Sequence, residues 1–536
     1  MRDLFVPVVI NGKEKIQREH IYRIGELPLL DLMLRCRESI SRARRGKNGT
    51  YYKVHYLEIP CAFDIETTNI FTRNSEGKVN TDDRPFAYMY HWQVCIGGYV
   101  VFGRTWEEWL TLLDRLQREM HLSSDTRLVI WVHNLPFEFQ FFRRFVRVTE
   151  GFYKDPYKPL KVVISGGIEF RDALALSNMS LEQFCRQSKG CIHVKAVGDL
   201  DYKIIRTAAT PLTDKELGYC YNDVAGLAEC IADRMRQDTL ASMPMTSTGY
   251  VRRDCRREMR TNKRNRQLFL DTALDPKLYT MFKTAFRGGN THANAAMANR
   301  TIEGPVYSYD ITSSYPAVMM EEYMPISAWS EFTLEDQEEM DPGMDKYCYI
   351  FQVLIADPEY IGSSGIPYIS ASKCSHITEG KDYQEDNGRV RRAEFLEMTI
   401  LEIDWKIIRK TYKMSWYKIR DMYAAARGPL PAEFKKVVMD YFRRKTQLKG
   451  LKDPDSKYMY DKSKNMLNAL FGMTTTRLDM DLILYDPEHV NDEGEIQEYY
   501  TEGKSLDALL NKFYKSRNSF LPYQWGVYHS PCPRSP

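Results

Sequence analysis

Two acids, Asp64 and Glu66, stand two residues apart at the end of an apolar run in the segment CAFDIETTN. On a strand, residues i and i+2 leave the same face, and adjacent carboxylates repel unless a cation sits between them. An oxygen-only pair of this kind suits Mg²⁺ or Mn²⁺. A lone D-x-E arises often by chance in 536 residues, so the pair needs partners. One lies in a predicted helix that opens on a capping box, Thr213 to Glu216. At about 100° per residue, Leu217, Tyr221, Val224, Ala228 and Ile231 share its core face, with Tyr219 and Asp223 opposite and one turn apart. These two read either as a polar surface pair or as a phenol that orients a water beside a metal-bound carboxylate. A second partner follows the apolar run RLVIWVHN, where Asn134, Phe137 and a fourth acid, Glu138, come in quick succession. Phe137, Phe141, Phe142 and Phe145 run at helical spacing as core residues, except that Phe137 is placed to stack on an unpaired base.

A second group of such residues lies in the C-terminal half. VYSYDITSSYP reads as a strand ending at Asp310, then a tight turn through Ser313 and Tyr315 closed by Pro316. Its plain reading is a strand and turn with a buried tyrosine; its chemical reading is a carboxylate on a rigid strand beside an aromatic ring. In KNMLNALFG, helical spacing puts Lys464, Asn468 and Phe471 on one side and Met466, Leu467 and Leu470 on the other. A charged and aromatic front on an apolar back suits a triphosphate and a base.

Elements must hold these groups. Apolar runs at 57–63, 94–102, 128–132 and 160–164 read as strands, alternating with helical stretches such as 106–120. That pattern predicts an α/β domain to about residue 235. Before it, residues 1–56 read as a polar extension ending in a basic run and a Gly-Lys-Asn-Gly linker. After it, eight Lys or Arg fall within 252–266 (Arg252, Arg253, Arg256, Arg257, Arg260, Lys263, Arg264 and Arg266); phosphate contact and plain solvation fit equally well. Residues 331–428 read as irregular, with an acidic loop at 331–345, and 432–472 as helical. The last sixty residues read as strands, a loop and a helix near 506–514.

Bulk composition is permissive. Hydrophobic residues make up 43% and charged ones 27%, as in proteins with real cores, and a net charge of +3 does not itself argue for nucleic acid. The eleven cysteines include no C-x-x-C pair. Cys185, Cys191 and His193 fit no common zinc spacing and read as reduced, inert thiols. No signal peptide and no run of about 18 apolar residues is present, so the expected setting is the cytoplasm, with no membrane.

In order, DIE, NLPFE and YCYND resemble the D-x-E, N-x-x-F-D and Y-x-x-x-D motifs of DnaQ-like proofreading exonucleases, with Glu138 in place of the usual aspartate. The resemblance implies that Asp64, Glu66 and Asp223 hold two divalent cations and that Tyr219 positions the attacking water. Asn134 and Phe137 would grip a single-stranded 3′ end, and Lys195, before GDLDY, resembles the catalytic lysine near the scissile phosphate. D-x-x-S-x-Y-P resembles motif A of family B DNA polymerases, which makes Asp310 a metal ligand and Tyr315 the ring that excludes a 2′-hydroxyl. KNMLNALFG resembles motif B, with Ala469 and Phe471 for the usual Ser and Tyr. FKKVVMDYFRRKT resembles the segment before motif B, placing Lys445 on the triphosphate. TAFRGGN resembles the Y-x-G-G motif, so Phe286, Arg287, Gly288 and Gly289 are expected against template DNA, as are Arg252 and Arg256 from the basic run.

The whole resembles a protein-primed family B polymerase of phage or linear-plasmid type. It implies an α/β plus α+β architecture: a ribonuclease-H-like exonuclease, then a partial palm and fingers. The expected divisions are a basic extension at 1–56, the exonuclease at 57–235, a basic linker with the FxGG segment at 236–300, and a palm strand with motif A at 301–330. A terminal-protein insertion at 331–430, fingers at 431–475, a second insertion and returning palm at 476–525, and an aberrant tail at 526–536 complete it. The implied ligands are primer-template DNA, dNTPs, a terminal protein as primer, and two divalent cations per site. Motif C, Y-x-D-T-D-S, is not found; Asp479 and Asp481 stand too close behind motif B to replace it. The expectation is therefore a chain interrupted before motif C, deficient in polymerisation unless a second polypeptide supplies that motif and the thumb. Two alternatives stay open: an exonuclease only, or an inert module that binds DNA and terminal protein.

Overall fold

The computed structural model describes residues 2–45, 51–70, 86–194, 204–289, 292–293, 297–309, 313–332, 346–362, 365–516 and 519–529. The chain divides into two compact units, Met1–Gly249 with Asp481–Gly503, and Tyr250–Met480 with Lys504–Pro536.

The first unit is built on an eleven-stranded mixed sheet. Its centre is the strand Cys61–Ile70, paired antiparallel with Phe86–Ile96 and parallel with Thr126–Val132. Phe86–Ile96 pairs in turn with Tyr99–Gly103, while Thr126–Val132 continues, parallel, into Ile168–Asp172. Three antiparallel strands joined to parallel ones, with helices Trp106–Glu119 and Asp214–Met235 beside them, make the ribonuclease-H-like arrangement. The central strands are buried on both faces, which is why they read as unbroken apolar runs. Helix Trp106–Glu119 starts where Thr105 and Glu108 cap each other reciprocally and buries Trp109, Leu112, Leu113 and Leu116.

The N-terminal segment departs from expectation. In place of a polar extension, Arg2–Ile10 and Lys13–Tyr22 form a hairpin that joins the sheet through Tyr99–Gly103. The alternation that drives it is short, since only Leu4, Val6 and Val8 go inward, and the charged residues of 13–19 mask it in any composition average.

The second unit holds a six-stranded sheet in which Tyr347–Ala356 lies between Trp416–Pro429 and Phe395–Leu401 and pairs with both. A four-stranded sheet and a set of helices accompany it. Residues 346–428, expected to be irregular, are thus largely strand; the acidic loop at 333–345 lies outside the described residues. Helices Ala432–Leu448 and Pro454–Thr474 pack together with Ser314–Glu321. Among the described residues of 301–309 there is no strand: Val306, Tyr307 and Tyr309 are exposed, and no neighbour hydrogen-bonds to this stretch as a ladder. Within the described residues 306–309 the expected palm strand is not formed, because a strand needs a pairing partner; 310–312 lie outside the described residues. Helix Gln524–His529 is anchored by the buried Trp525, Val527 and Tyr528, so the start of the aberrant tail expected at 526–536 packs into this unit's core, while 530–536 lie outside the described residues. No helix among the described residues is long and apolar enough to cross a membrane.

Candidate functional site

Sheet register and one helix assemble the acidic site of the first unit. Asp64 pairs across from Gln93, and Glu66 from His91. The Gln93 amide donates to Asp64 Oδ2 at 3.0 Å and to Glu66 Oε1 at 3.2 Å, holding the two carboxylates side by side. Helix Asp214–Met235 lies across the strands and delivers Asp223, so that carboxylate oxygens of Asp64, Glu66 and Asp223 lie within 4.8 Å of one another. Its start is fixed by the expected capping box, Thr213 accepting from the Glu216 N–H and Glu216 from the Thr213 N–H.

Tyr219 and Asp223 do not form an exposed polar side. Tyr219 is 5% exposed and Asp223 1%. The N-terminal hairpin covers this helix: the Asn222 amide donates to the Pro7 carbonyl, and the Tyr221 hydroxyl to Glu19. With sheet on one flank and hairpin on the other, the helix is buried nearly all round.

Glu138, on helix Leu135–Phe142, is buried beside Asp64. Burial first, and then the Asp64 charge, push its carboxyl well above the usual range. One of its oxygens, Oε2, has no hydrogen-bonding partner among the described residues. Asp172, raised by burial, accepts from the Asn134 and Leu174 N–H groups and so fixes the turn before this helix. Asn134 sits there in the left-handed region at φ 93° with its side chain exposed, and Phe137 is 42% exposed. Burial pushes the His91 imidazole down to about 3, so it is neutral and offsets none of the acids. A buried cluster of carboxylate oxygens, with a fourth carboxyl beside it held well above the usual range, has the donor set that hard divalent cations require. Asp64, Glu66 and Asp223 fit that role. Lys195 lies outside the described residues.

In the second unit the Tyr315 ring stacks on Phe471, with centroids 4.0 Å apart and planes 13° from parallel. The Lys445 ammonium donates to Ser313 Oγ at 2.7 Å. Residues from three separate segments therefore meet. Lys464 and Asn468 are exposed on helix Pro454–Thr474 while Leu467 and Leu470 are buried behind them, as the spacing predicts. Asp310 lies outside the described residues.

Several expected DNA contacts have other partners. Arg287 is buried, with its guanidinium 3.5 Å from Asp404 and over the Tyr368 ring, a place set by charge pairing inside the unit. Phe286 caps helix Pro276–Ala285 and is half-buried against the core. Gly288 and Gly289 are exposed, and a Cβ at either meets nothing within 4 Å. In the basic run, Arg266 donates to the carbonyls of Tyr514 and Ser519 and so serves the fold. Arg252 and Arg256 line, with Arg477 and Lys512, a cavity of about 440 Å³. Asp479 is held by Lys283, Arg477 and Tyr279, which keep its carboxyl well below the usual range.

Gln93 and Asp172 escaped sequence reasoning. The signal for Gln93 was present, a lone amide inside the apolar strand HWQVCI that must find a polar partner.

A family model described as DNA polymerase type B, organellar and viral, matches residues 193–519. The DNA polymerase of Bacillus phage B103 is 24% identical over 269 residues, covering 49% of this chain and 43% of that protein. That of Bacillus phage phi29 is 23% identical over 288 residues, 53% of this chain and 44% of the relative. These matches span less than half the length of the curated relatives. The solved phi29 DNA polymerase with primer-template DNA superposes with a TM-score of 0.60 at 14% identity, covering 88% of this chain and 75% of that one; the fold is shared. With that fold, and with a family match over well more than half its residues, the chain belongs to the organellar and viral type B DNA polymerases.

Proposed function

We propose that this chain acts in viral or plasmid DNA replication, as a DNA-directed DNA polymerase of the protein-primed group with a 3′–5′ exonuclease in its first unit. The observation that carries the exonuclease is the convergence of Asp64, Glu66 and Asp223 from two distant elements, with Glu138 beside them. Bound Mg²⁺ or Mn²⁺ would polarise a phosphodiester and lower the pKa of a water. The chain's residues do the rest. Gln93 sets the spacing of the first two carboxylates, Tyr219 orients the water, and Asn134 with the exposed Phe137 receives an unpaired 3′ nucleotide.

For nucleotide addition, the solved relatives include phi29 polymerase with primer-template DNA and incoming nucleotide, and the same classes of ligand suit this chain. Lys445, Lys464 and Asn468 would bind the triphosphate, and Tyr315 on Phe471 would floor the sugar and base pocket. Asp310 would be a metal ligand, and a terminal protein would supply the priming hydroxyl.

The test is digestion of 3′-labelled single-stranded DNA by the full chain with Mn²⁺ or Mg²⁺. Asp64→Ala with Glu66→Ala should reduce the rate about 10³-fold or more while DNA binding persists. Undiminished digestion by the double variant overturns the assignment of the site to these carboxylates, and no metal-dependent digestion by the wild-type chain leaves the DNA-binding module.

A further inference from the structure

A second ligand cluster in the first unit lies outside the carboxylate site. The Sγ atoms of Cys185, Cys191 and Cys230 lie within 4.8 Å of one another, and those of Cys185 and Cys230 are 3.8 Å apart. Three elements bring them together: helix Leu181–Gln187, the loop after it, and the long helix Asp214–Met235. Zinc–thiolate bonds of about 2.3 Å in a tetrahedron put sulfurs about 3.8 Å apart. The convergence of three cysteines from three elements, and not the 3.8 Å spacing alone, which is also van der Waals contact for buried thiols, is what marks the cluster.

We propose that these three cysteines bind a zinc ion, which staples the loop 191–194 to the helix that carries Tyr219 and Asp223. Packing around the cluster supports this. Gly226, one turn before Cys230, has no room for a side chain, because an added Cβ would stand 2.1 Å from the His193 carbonyl oxygen and 3.0 Å from Cys185 Sγ. The loop thus lies directly on the helix backbone. Without a metal the Cys191 S–H donates weakly to the carbonyl oxygens of His193 (3.5 Å) and Gly226 (3.7 Å), contacts that metal binding would give up. His193 is not a ligand: its Nδ1 is 2.7 Å from Glu229 and its Nε2 3.3 Å from Glu19. Water completes the tetrahedron on the side of Cys191, the partly exposed member. Three thiolates around one Zn²⁺ leave a net negative charge. As the Zn–S bonds form, the three thiol protons pass to solvent. Lys195 follows Cys191 by four residues in the sequence, so the staple would anchor the base of the segment that bears it.

The experiment measures metal, not nuclease activity, so its failure would leave the exonuclease reading untouched. The full chain, expressed with zinc in the medium and desalted, should carry about one zinc per chain by plasma mass spectrometry. Cys191→Ser and Cys230→Ser should lose it, and Cys36→Ser, outside the cluster, should keep it. Asp64→Ala with Glu66→Ala should also keep it, which separates this site from the carboxylates. Should the serine variants fail to fold, Co²⁺ titration of the wild-type apo chain is an independent readout, expected to give an intense thiolate-to-metal absorption band. Three results would overturn the proposal: zinc well below stoichiometric with no such band, zinc lost only from the carboxylate variant, or a mass two hydrogens lower with a Cys185–Cys230 disulfide in the peptide map.

Discussion

Tyr219 is buried one turn before Asp223, on a helix whose other flanks are occupied by sheet and hairpin. Tyr219→Phe keeps the ring and therefore the packing, and removes only the hydroxyl. If that hydroxyl positions the attacking water, hydrolysis should slow by about 10²–10⁴-fold with the melting temperature unchanged; an unaltered rate would make Tyr219 a packing residue. Phe137 offers the complementary case, since its ring is 42% exposed and, among the described residues, meets the Phe141 ring alone. Base stacking on an aromatic side chain contributes about 1–3 kcal/mol, so Phe137→Ala should weaken binding of single-stranded DNA about 5- to 150-fold at constant salt. Equal affinity for both chains would show that no base stacks there. The carboxylates were legible in the sequence because each sits in a short pattern with a chemical reason for its spacing. The cysteine cluster was not, because Cys230 stands on a different element from Cys185 and Cys191 and no local spacing announces it.

At the scale of elements, the helix Asp214–Met235 is the piece on which most else depends. It packs on Arg2–Ile10, Cys61–Ile70 and Phe86–Ile96, and against helix Leu181–Gln187. At Gly226 the loop after that helix comes close, and backbone of His193, not a flexible side chain, faces the position of a Cβ. Alanine there normally favours a helix by about 1 kcal/mol. Here the clash with the His193 carbonyl should reverse the sign, and Gly226→Ala should lower the unfolding free energy by about 1–3 kcal/mol in urea titrations. A stabilised variant would mean that the loop withdraws freely. Strands such as Thr126–Val132 were legible as apolar runs, and the helix from its cap and stripe. The hairpin of 2–22 was not, because one face of it is polar along its length. Nor were the strands of 346–428, whose partners lie far apart in sequence: Tyr347–Ala356 pairs with both Phe395–Leu401 and Trp416–Pro429.

At the scale of the molecule, the chain crosses between its two units more than once: Asp481–Gly503 returns to the first, and Lys504–Pro536 to the second. Each return is anchored chemically. Glu498 pairs with Arg143 and Arg144 in the first unit. In the second, the Tyr528 hydroxyl donates to Glu402, which also accepts from the Tyr349 N–H. Glu402 is wholly buried, and burial pushes its carboxyl up to about 7 despite these hydrogen bonds and the nearby Arg427. The sign follows from linkage. A folded pKa above the unfolded value of about 4.5 means that the folded state binds the proton more tightly. The stability this confers is fully present below about pH 4.5. It is lost as pH rises toward and through 7, by up to about 3 kcal/mol. Glu402→Gln keeps an acceptor for both donors and removes the charge that must be desolvated. The variant should therefore match the wild-type chain near pH 4.5 and gain on it steadily to pH 8, when unfolding free energies are compared by urea titration across that range. A constant difference at every pH would mean that Glu402 titrates alike in the folded and unfolded chain. A difference that shrinks with rising pH would mean that Arg427 governs this carboxyl more strongly than burial does.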